Sequence, residues 1–403
     1  MCKNIVICCD GTSRKLESSN TNVVRLFDVL DRSDSQRQIC CYDPGVGTLP
    51  DPAALTAVAK RLTVLAGQAT GYGLRHKITS LYEFLIDHYK EGDRVYLFGF
   101  SRGAFTVRAL AGLLCRFGVL KPEHRNLVPY AWEMYQPHYE LLSDRDALEH
   151  QKVVREFRRL FTQPLKEITF LGLWDTVKSY GYVWPQSLPH TRHNEKVKTV
   201  RHALALYERR AFFSPTNWGS LDTDPADRKI NQHPEQDVQE VWFAGYHSDV
   251  GGGCKEEESG LARYSLKWMI DEARESARKS KEPELLVDEC ALERVMRQCG
   301  ADKKTWYMSH DSMEWYWRFI ERLCPRWDLE NAPPPGQNTQ FSKGWPKKKF
   351  KIGPTGPRSV KKSMRGGKVL VHESVPKYES SIGTVHNLDV DPSIVEYVGE
   401  LWL

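Results

Sequence analysis

Residues 94–104 read Arg94-Val95-Tyr96-Leu97-Phe98-Gly99-Phe100-Ser101-Arg102-Gly103-Ala104. The first seven form an apolar run of strand length, rich in aromatic and β-branched side chains. From Ala104 to Cys115 the chain continues as a largely apolar helical stretch. Gly99 and Gly103 flank Ser101, so strand passes into helix through a turn that needs small neighbours. Working outward, Ile78, Leu81, Tyr82, Leu85, Ile86 and Tyr89 recur at helical spacing before Glu91-Gly92-Asp93 stops them. Ile5–Cys9 and Ile39–Tyr42 are two earlier buried-strand signals, with Val23, Phe27 and Leu30 at helical spacing between them. Strand and helix therefore alternate through the first 120 residues. That rhythm implies an α/β chain whose mostly parallel sheet is covered by helices on both faces.

Composition sets wide bounds. The chain has 403 residues, 40% hydrophobic and 27% charged, with a net charge of +5. Those values exclude disorder throughout, and the charge alone gives no case for specific nucleic-acid binding. No apolar run approaches the roughly 18–20 residues of a spanning helix, and no signal-peptide pattern follows Met1, so a cytoplasmic location is expected. Delivery by a secretion system stays open. The ten cysteines show no Cys-x-x-Cys and no zinc-finger spacing, so they read as reduced packing thiols and no metal or cofactor is expected. Cys254 is included among them.

The chemistry concentrates at strand ends. Gly99-Phe100-Ser101-Arg102-Gly103 fits Gly-x-Ser-x-Gly between strand and helix, the context in which a serine sits on a sharp turn with Oγ raised above the sheet. A serine hydroxyl needs a histidine to take its proton and a carboxylate to hold that histidine. The run Ile168–Trp174 ends at Asp175, and Val241–Tyr246 ends at His247. Serine, aspartate and histidine in that order match the α/β-hydrolase arrangement. Ser101, Asp175 and His247 are thus the candidate catalytic residues. The backbone N–H groups of Arg102 and of Gly11–Thr12 are the candidate oxyanion donors. Asp10, Gly99, Gly103 and Asp249 are expected to support them. Asp249 is a rival acid, though its place in the glycine turn Gly251-Gly252-Gly253 favours a shaping role. His372 is a weaker rival base.

Eight stretches carry a resemblance. They are Cys9-Asp10-Gly11-Thr12, Thr21-Asn22-Val23-Val24-Arg25-Leu26, Tyr42-Asp43-Pro44-Gly45-Val46-Gly47, Gly99-Phe100-Ser101-Arg102-Gly103-Ala104, Leu173-Trp174-Asp175-Thr176-Val177, Arg201-His202-Ala203-Leu204-Ala205-Leu206, Gly245-Tyr246-His247-Ser248-Asp249-Val250-Gly251-Gly252-Gly253 and Val371-His372-Glu373-Ser374-Val375. In these the chain resembles the α/β-hydrolase family whose best-known members are catalytic domains of type VI secretion phospholipase effectors, the Tle family. The resemblance implies an α/β-hydrolase core with Ser101 as nucleophile, Asp175 as orienting acid and His247 as base. It also implies a lipid or phospholipid ester as substrate. One departure stands out: the family usually has an acid after its Ala-Leu-x-Leu run, where this chain has Tyr207 before Glu208-Arg209-Arg210. A weakened ion pair is expected there.

The expected organisation is a core over 1–331 with stretches near 120–165, 178–240 and 254–331 as cap insertions or flanking helices. A Pro/Gly/Lys-rich loop follows over 332–368, and 369–403 packs back on the core. The aromatic cluster from Trp306 to Trp327 reads as a packed helix or a lid. Between Lys343 and Lys368 stand ten basic residues and no acid, which could contact an anionic membrane or remain a solvated loop. The expected function is a serine esterase or lipase. The alternatives are an anion-binding protein on the same scaffold and an acyltransferase.

Overall fold

The strand signals around Ile5, Ile39 and Val95 meet side by side in a parallel sheet. A computed structural model describes residues 2–11, 19–45, 71–136, 144–177, 188–210, 213, 215–219, 236–297, 309–310, 358, 360, 368–382, 388 and 390–399. In chain order the elements are β1 (Asn4–Cys9), α1 (Asn22–Val29), β2 (Gln38–Asp43), α2 (Gly71–His88), β3 (Arg94–Phe100), α3 (Arg102–Phe117), β4 (Val119–Leu120), α4 (Val128–Tyr135), α5 (Asp144–Phe161), β5 (Thr162–Gln163) and β6 (Ile168–Trp174). They continue with β7 (Val197–Ala205), β8 (Asp237–Phe243), α6 (His247–Gly251), α7 (Gly260–Lys279), α8 (Glu289–Arg297), β9 (Val369–His372), α9 (Ser374–Ile382) and β10 (Val395–Val398).

Among the described residues the main sheet has eight strands in the order β10-β9-β8-β7-β6-β3-β1-β2, each pair parallel. β4 and β5 form a separate antiparallel pair. The expected α/β class, a mostly parallel sheet flanked by helices, is what the chain adopts. Strand alternation builds its two cores. Ile5 and Ile7 join Leu97, Leu171 and the helical side chains Ile78, Leu81, Val107 and Leu110 on one face. Val6 and Cys8 join Phe98, Phe170, Val23, Leu26, Tyr264 and Met269 on the other. Each such fully buried aliphatic side chain contributes about 1.5–3 kcal/mol of transfer free energy. A third cluster, with Trp242, Val369, Val371 and Tyr378, closes the β9 end.

Strand order reverses at β1: β2 lies on one side of it and β3 on the other. Such a switch point opens a crevice at the carboxyl ends of the strands, where sheets of this type keep their sites. The loop after β1 therefore lies beside the turn after β3.

Two stretches differ from expectation. Val197–Ala205 falls where an insertion over 178–240 was expected, yet it is a central strand between β6 and β8. Its signal is hidden because buried polar side chains are paired inside the sheet. Arg201 bonds Glu272 and Asp237 at 2.6 Å each, and His202 Nδ1 lies 2.9 Å from Glu240. The C-terminal segment does more than pack back, since β9 and β10 extend the main sheet. All eight cysteines among the described residues are free thiols. Among the described residues, no helix is long and apolar enough to cross a membrane.

Candidate active site

Ser101 sits between β3 and α3 with φ 57° and ψ −119°, a strained conformation for a residue with a Cβ. Its backbone N–H donates to Trp174 O at 3.0 Å, tying the turn to the end of β6. The flanking glycines are steric requirements. A Cβ on Gly103 would stand 2.2 Å from Cys9 O, and one on Gly99 would stand 2.6 Å from Gly103 O. A Cβ on Gly11 would meet Ser101 Cβ at 2.8 Å, so the loop after β1 runs directly against the serine.

Asp175 ends β6 and also has positive φ, at 39°. Its N–H donates to Ala203 O at 2.7 Å, and its Oδ1 accepts from Ala205 N at 3.0 Å. The adjacent strand β7 thereby aims the carboxylate. His247 opens the one-turn helix α6 beyond β8. Asp249 shapes that turn by accepting the Tyr246 N–H at 2.9 Å. The His247 ring packs between Phe100 and Phe213, with centroids at 4.6 and 4.8 Å.

These three strand ends bring Ser101, His247 and Asp175 into one hydrogen-bonded chain. Ser101 Oγ is 2.9 Å from His247 Nε2, and His247 Nδ1 is 2.6 Å from Asp175 Oδ2. All three residues are buried. An ionised carboxylate only accepts, so Nδ1 carries the proton and Nε2 receives the serine hydroxyl. Burial pushes the His247 imidazole below its ordinary value, partly countered by Asp175. For Asp175, burial alone would raise the carboxyl. Arg358 and His247 outweigh it and hold the group well below the usual carboxylate range. The pair therefore rests as carboxylate and neutral imidazole.

Arg358 was not singled out in the sequence. It lies in the basic stretch read as a solvated loop, but its guanidinium is almost fully buried on Asp175, with Nη1 2.5 Å from Oδ1 and Nη2 3.1 Å from Oδ2. It also donates to Ala205 O at 2.9 Å and to Phe213 O. At this residue the solvated reading is corrected. A lone Arg in a basic run carries no local sign of a buried partner. Lys368 ends the same stretch on the surface, 2.8 Å from Glu396. The rest of 343–368 apart from Val360 lies outside the described residues, as do Thr12 and the aromatic cluster from Trp306 to Trp327 apart from residues 309–310.

The expected weakened pair near Tyr207 is also corrected. Glu208, one position later, is buried and bonds Arg210 at 2.9 and 2.8 Å while accepting the His247 N–H at 3.3 Å. Burial would raise this carboxyl, but Arg210 holds it down at about 2. The acid of this chain stands at Glu208 and is paired with Arg210.

Asp10 organises the loop after β1. Its Oδ1 accepts the Gly11 N–H at 2.7 Å, and its Oδ2 takes Thr21 Oγ1 at 2.6 Å and Tyr42 OH at 3.1 Å. The Gly11 N–H is thus engaged with Asp10. Arg102 is the first residue of α3, directly after the serine. His372 lies in β9, its Nδ1 accepting the Ser374 N–H at 3.0 Å and its ring stacked on Phe243. It takes no part in the Ser101 chain. Nor does Asp249, whose Oδ1 instead meets His310 Nδ1 at 2.7 Å.

A mostly parallel sheet flanked by helices, with a hydrogen-bonded serine–histidine–carboxylate chain across its strand ends, makes this a protein of the α/β class. Residues 3–272 match the family described as type VI secretion system phospholipase effector Tle1-like, catalytic domain. The chain belongs to that family. It is 36% identical over 219 residues to the uncharacterized protein YEL023C of Saccharomyces cerevisiae, covering 52% of this chain and 32% of the yeast protein. A crystal structure of an uncharacterized protein from Pseudomonas aeruginosa aligns at TM-score 0.37 with 21% identity, covering 77% of this chain and 49% of that one. The Tle1 effector bound to the VgrG spike from the type 6 secretion system aligns at TM-score 0.29 with 19% identity, covering 62% and 51%. The chain spans about a third of the yeast relative and about half of each solved chain.

Proposed function

We propose that this protein is a serine hydrolase that cleaves carboxylic esters, with lipid acyl esters as its substrate class. The observation that carries the reading is the unbroken Ser101–His247–Asp175 chain at 2.9 and 2.6 Å. Membership of a phospholipase effector family supports the choice of substrate.

In this mechanism His247 Nε2 takes the Ser101 proton as Oγ attacks the ester carbonyl. Asp175 keeps the proton on Nδ1 and stabilises the imidazolium that forms. The oxyanion is held by the Arg102 N–H and by a second donor from the loop after β1. That second donor belongs to Gly11–Thr12, where the Gly11 N–H also serves Asp10. Collapse of the tetrahedral intermediate breaks the ester C–O bond, and His247 returns its proton to the departing alcohol. A water, activated by the same His247, then hydrolyses the acyl-enzyme and regenerates Ser101. The chemistry calls for no cofactor. Contact between an anionic membrane and basic residues of 343–368 other than the buried Arg358 would bring the enzyme to a lipid substrate.

The test is a panel of short-chain nitrophenyl esters and phospholipids given to wild type and Ser101→Ala. Wild type should turn over, and the variant should lose about three or more orders of magnitude in kcat. A wild type that is inert and unlabelled by a fluorophosphonate probe would defeat the reading.

A further inference from the structure

Beside α6, the helix that carries His247, Asp249, Cys254 and His310 bring a carboxylate, a thiol and an imidazole together. One potential ligand atom from each lies within 4.8 Å of the other two. None of the three touches the Ser101 chain. We propose that Asp249, Cys254 and His310 form a binding site for a single zinc ion.

The donor set argues for that metal. Thiolate and imidazole suit zinc, whereas calcium and magnesium take all-oxygen sites. A carboxylate, a thiolate and a neutral imidazole carry two negative charges in all, which balance a divalent ion in a partly buried place. Three protein ligands leave a fourth tetrahedral position for water.

The surroundings aim the ligands. Asp249 is buried, and its Oδ2 is occupied by the N–H groups of Tyr246 at 2.9 Å and His310 at 3.1 Å. That directs Oδ1 toward the His310 Nδ1. The opposite nitrogen, His310 Nε2, lies 3.2 Å from Glu258 Oε2. A carboxylate on the far imidazole nitrogen is the arrangement that fixes the ring of a metal-bound histidine. Ligands on tetrahedral zinc stand roughly 3.3 Å apart, so the 2.7 Å contact between His310 and Asp249 must open by about half an ångström.

The ion would join α6 to Cys254 just beyond it and to His310, which lies 61 residues after Asp249. Asp249 is two residues from His247, so the cross-link acts on the base by position.

The experiment uses the full chain, purified, loaded with zinc, dialysed and analysed for metal. About one zinc per chain is expected in wild type and equally in Ser101→Ala. Cys254→Ser and His310→Gln should lose it, and Glu258→Gln should bind about 10–100-fold more weakly in a chelator competition. Cobalt in place of zinc should show a thiolate charge-transfer band in wild type that is missing in Cys254→Ser. Should a ligand variant fail to fold, the wild-type melt decides, since zinc over chelator must raise Tm. No zinc uptake at micromolar concentration, or unchanged zinc affinity and cobalt spectrum in Cys254→Ser, would overturn the proposal. Every readout is independent of ester turnover, so an inert protein that holds zinc would count against the hydrolase reading alone.

Discussion

Arg358 and Asp175 form a two-contact ion pair, 2.5 and 3.1 Å, on the same carboxylate that receives His247 at 2.6 Å. The guanidinium compensates the buried negative charge, while the imidazole is left to work on Ser101. Removing one partner of a buried pair leaves the other without compensation, which costs about 3–5 kcal/mol. Arg358→Ala should therefore lower Tm by several degrees or more. With the positive charge gone, Asp175 rises and His247 becomes easier to protonate. The acid limb of kcat/KM should move to higher pH, and Arg358→Lys should restore part of that shift. An unchanged melt and pH profile would show that Arg358 contributes nothing to the site.

Asp175→Asn keeps the shape but removes the charge that holds the Nδ1 proton. On the proposed mechanism kcat should fall about 10⁴-fold with KM little altered. Steady-state kinetics on a soluble ester, with near-ultraviolet circular dichroism to establish folding, checks this.

The pH dependence has a definite sign. His247 must be neutral to accept the serine proton, and burial lowers its folded value below the ordinary ~6.5. kcat/KM should thus be level at neutral pH and fall only below about pH 6.5. Stability shares that direction, because the unfolded chain takes the His247 proton first as pH drops below about 6.5. Asp175 behaves as a depressed carboxylate. Its contribution is complete above about pH 4 and fades as pH falls toward its lower folded value. A rate profile that peaks in acid would contradict the base role.

Two glycine substitutions should separate folding from activity. Gly103→Ala places a Cβ 2.2 Å from Cys9 O, between strand and helix backbones that cannot both move, and should cost about 3 kcal/mol or more. Gly11→Ala meets Ser101 Cβ at 2.8 Å at the open end of the sheet. There the loop can shift, so the loss should appear in kcat more than in urea midpoint. Equal effects on both readouts in both variants would remove the distinction.

Glu208→Gln should leave Arg210 without its charge partner and weaken the hold on the His247 N–H. A fall of about tenfold in kcat, with a modest drop in Tm, is expected from kinetics and melts on the same preparation.

Much of this architecture is local and was legible in the chain. A turn of Gly99-Phe100-Ser101-Arg102-Gly103 between a β-rich run and an apolar helix has few backbone solutions. Asp175 follows β6 directly and His247 follows β8 after three residues, so their strand-end placement needed only the strands. Where the strand signal was mixed, as in Val197–Ala205, the reading failed. Arg201 and His202 look solvent-facing until Glu272, Asp237 and Glu240 arrive from other elements.

By itself, then, the sequence determined the alternating sheet, the serine turn and the order of serine, acid and histidine, because backbone sterics and side-chain periodicity act over a few residues. Only the tertiary structure decided that Arg358 reaches an acid 183 residues away and that His310 meets Asp249. Those are pairings of buried charge. Their stability depends on which distant group removes the water, and no local pattern records that.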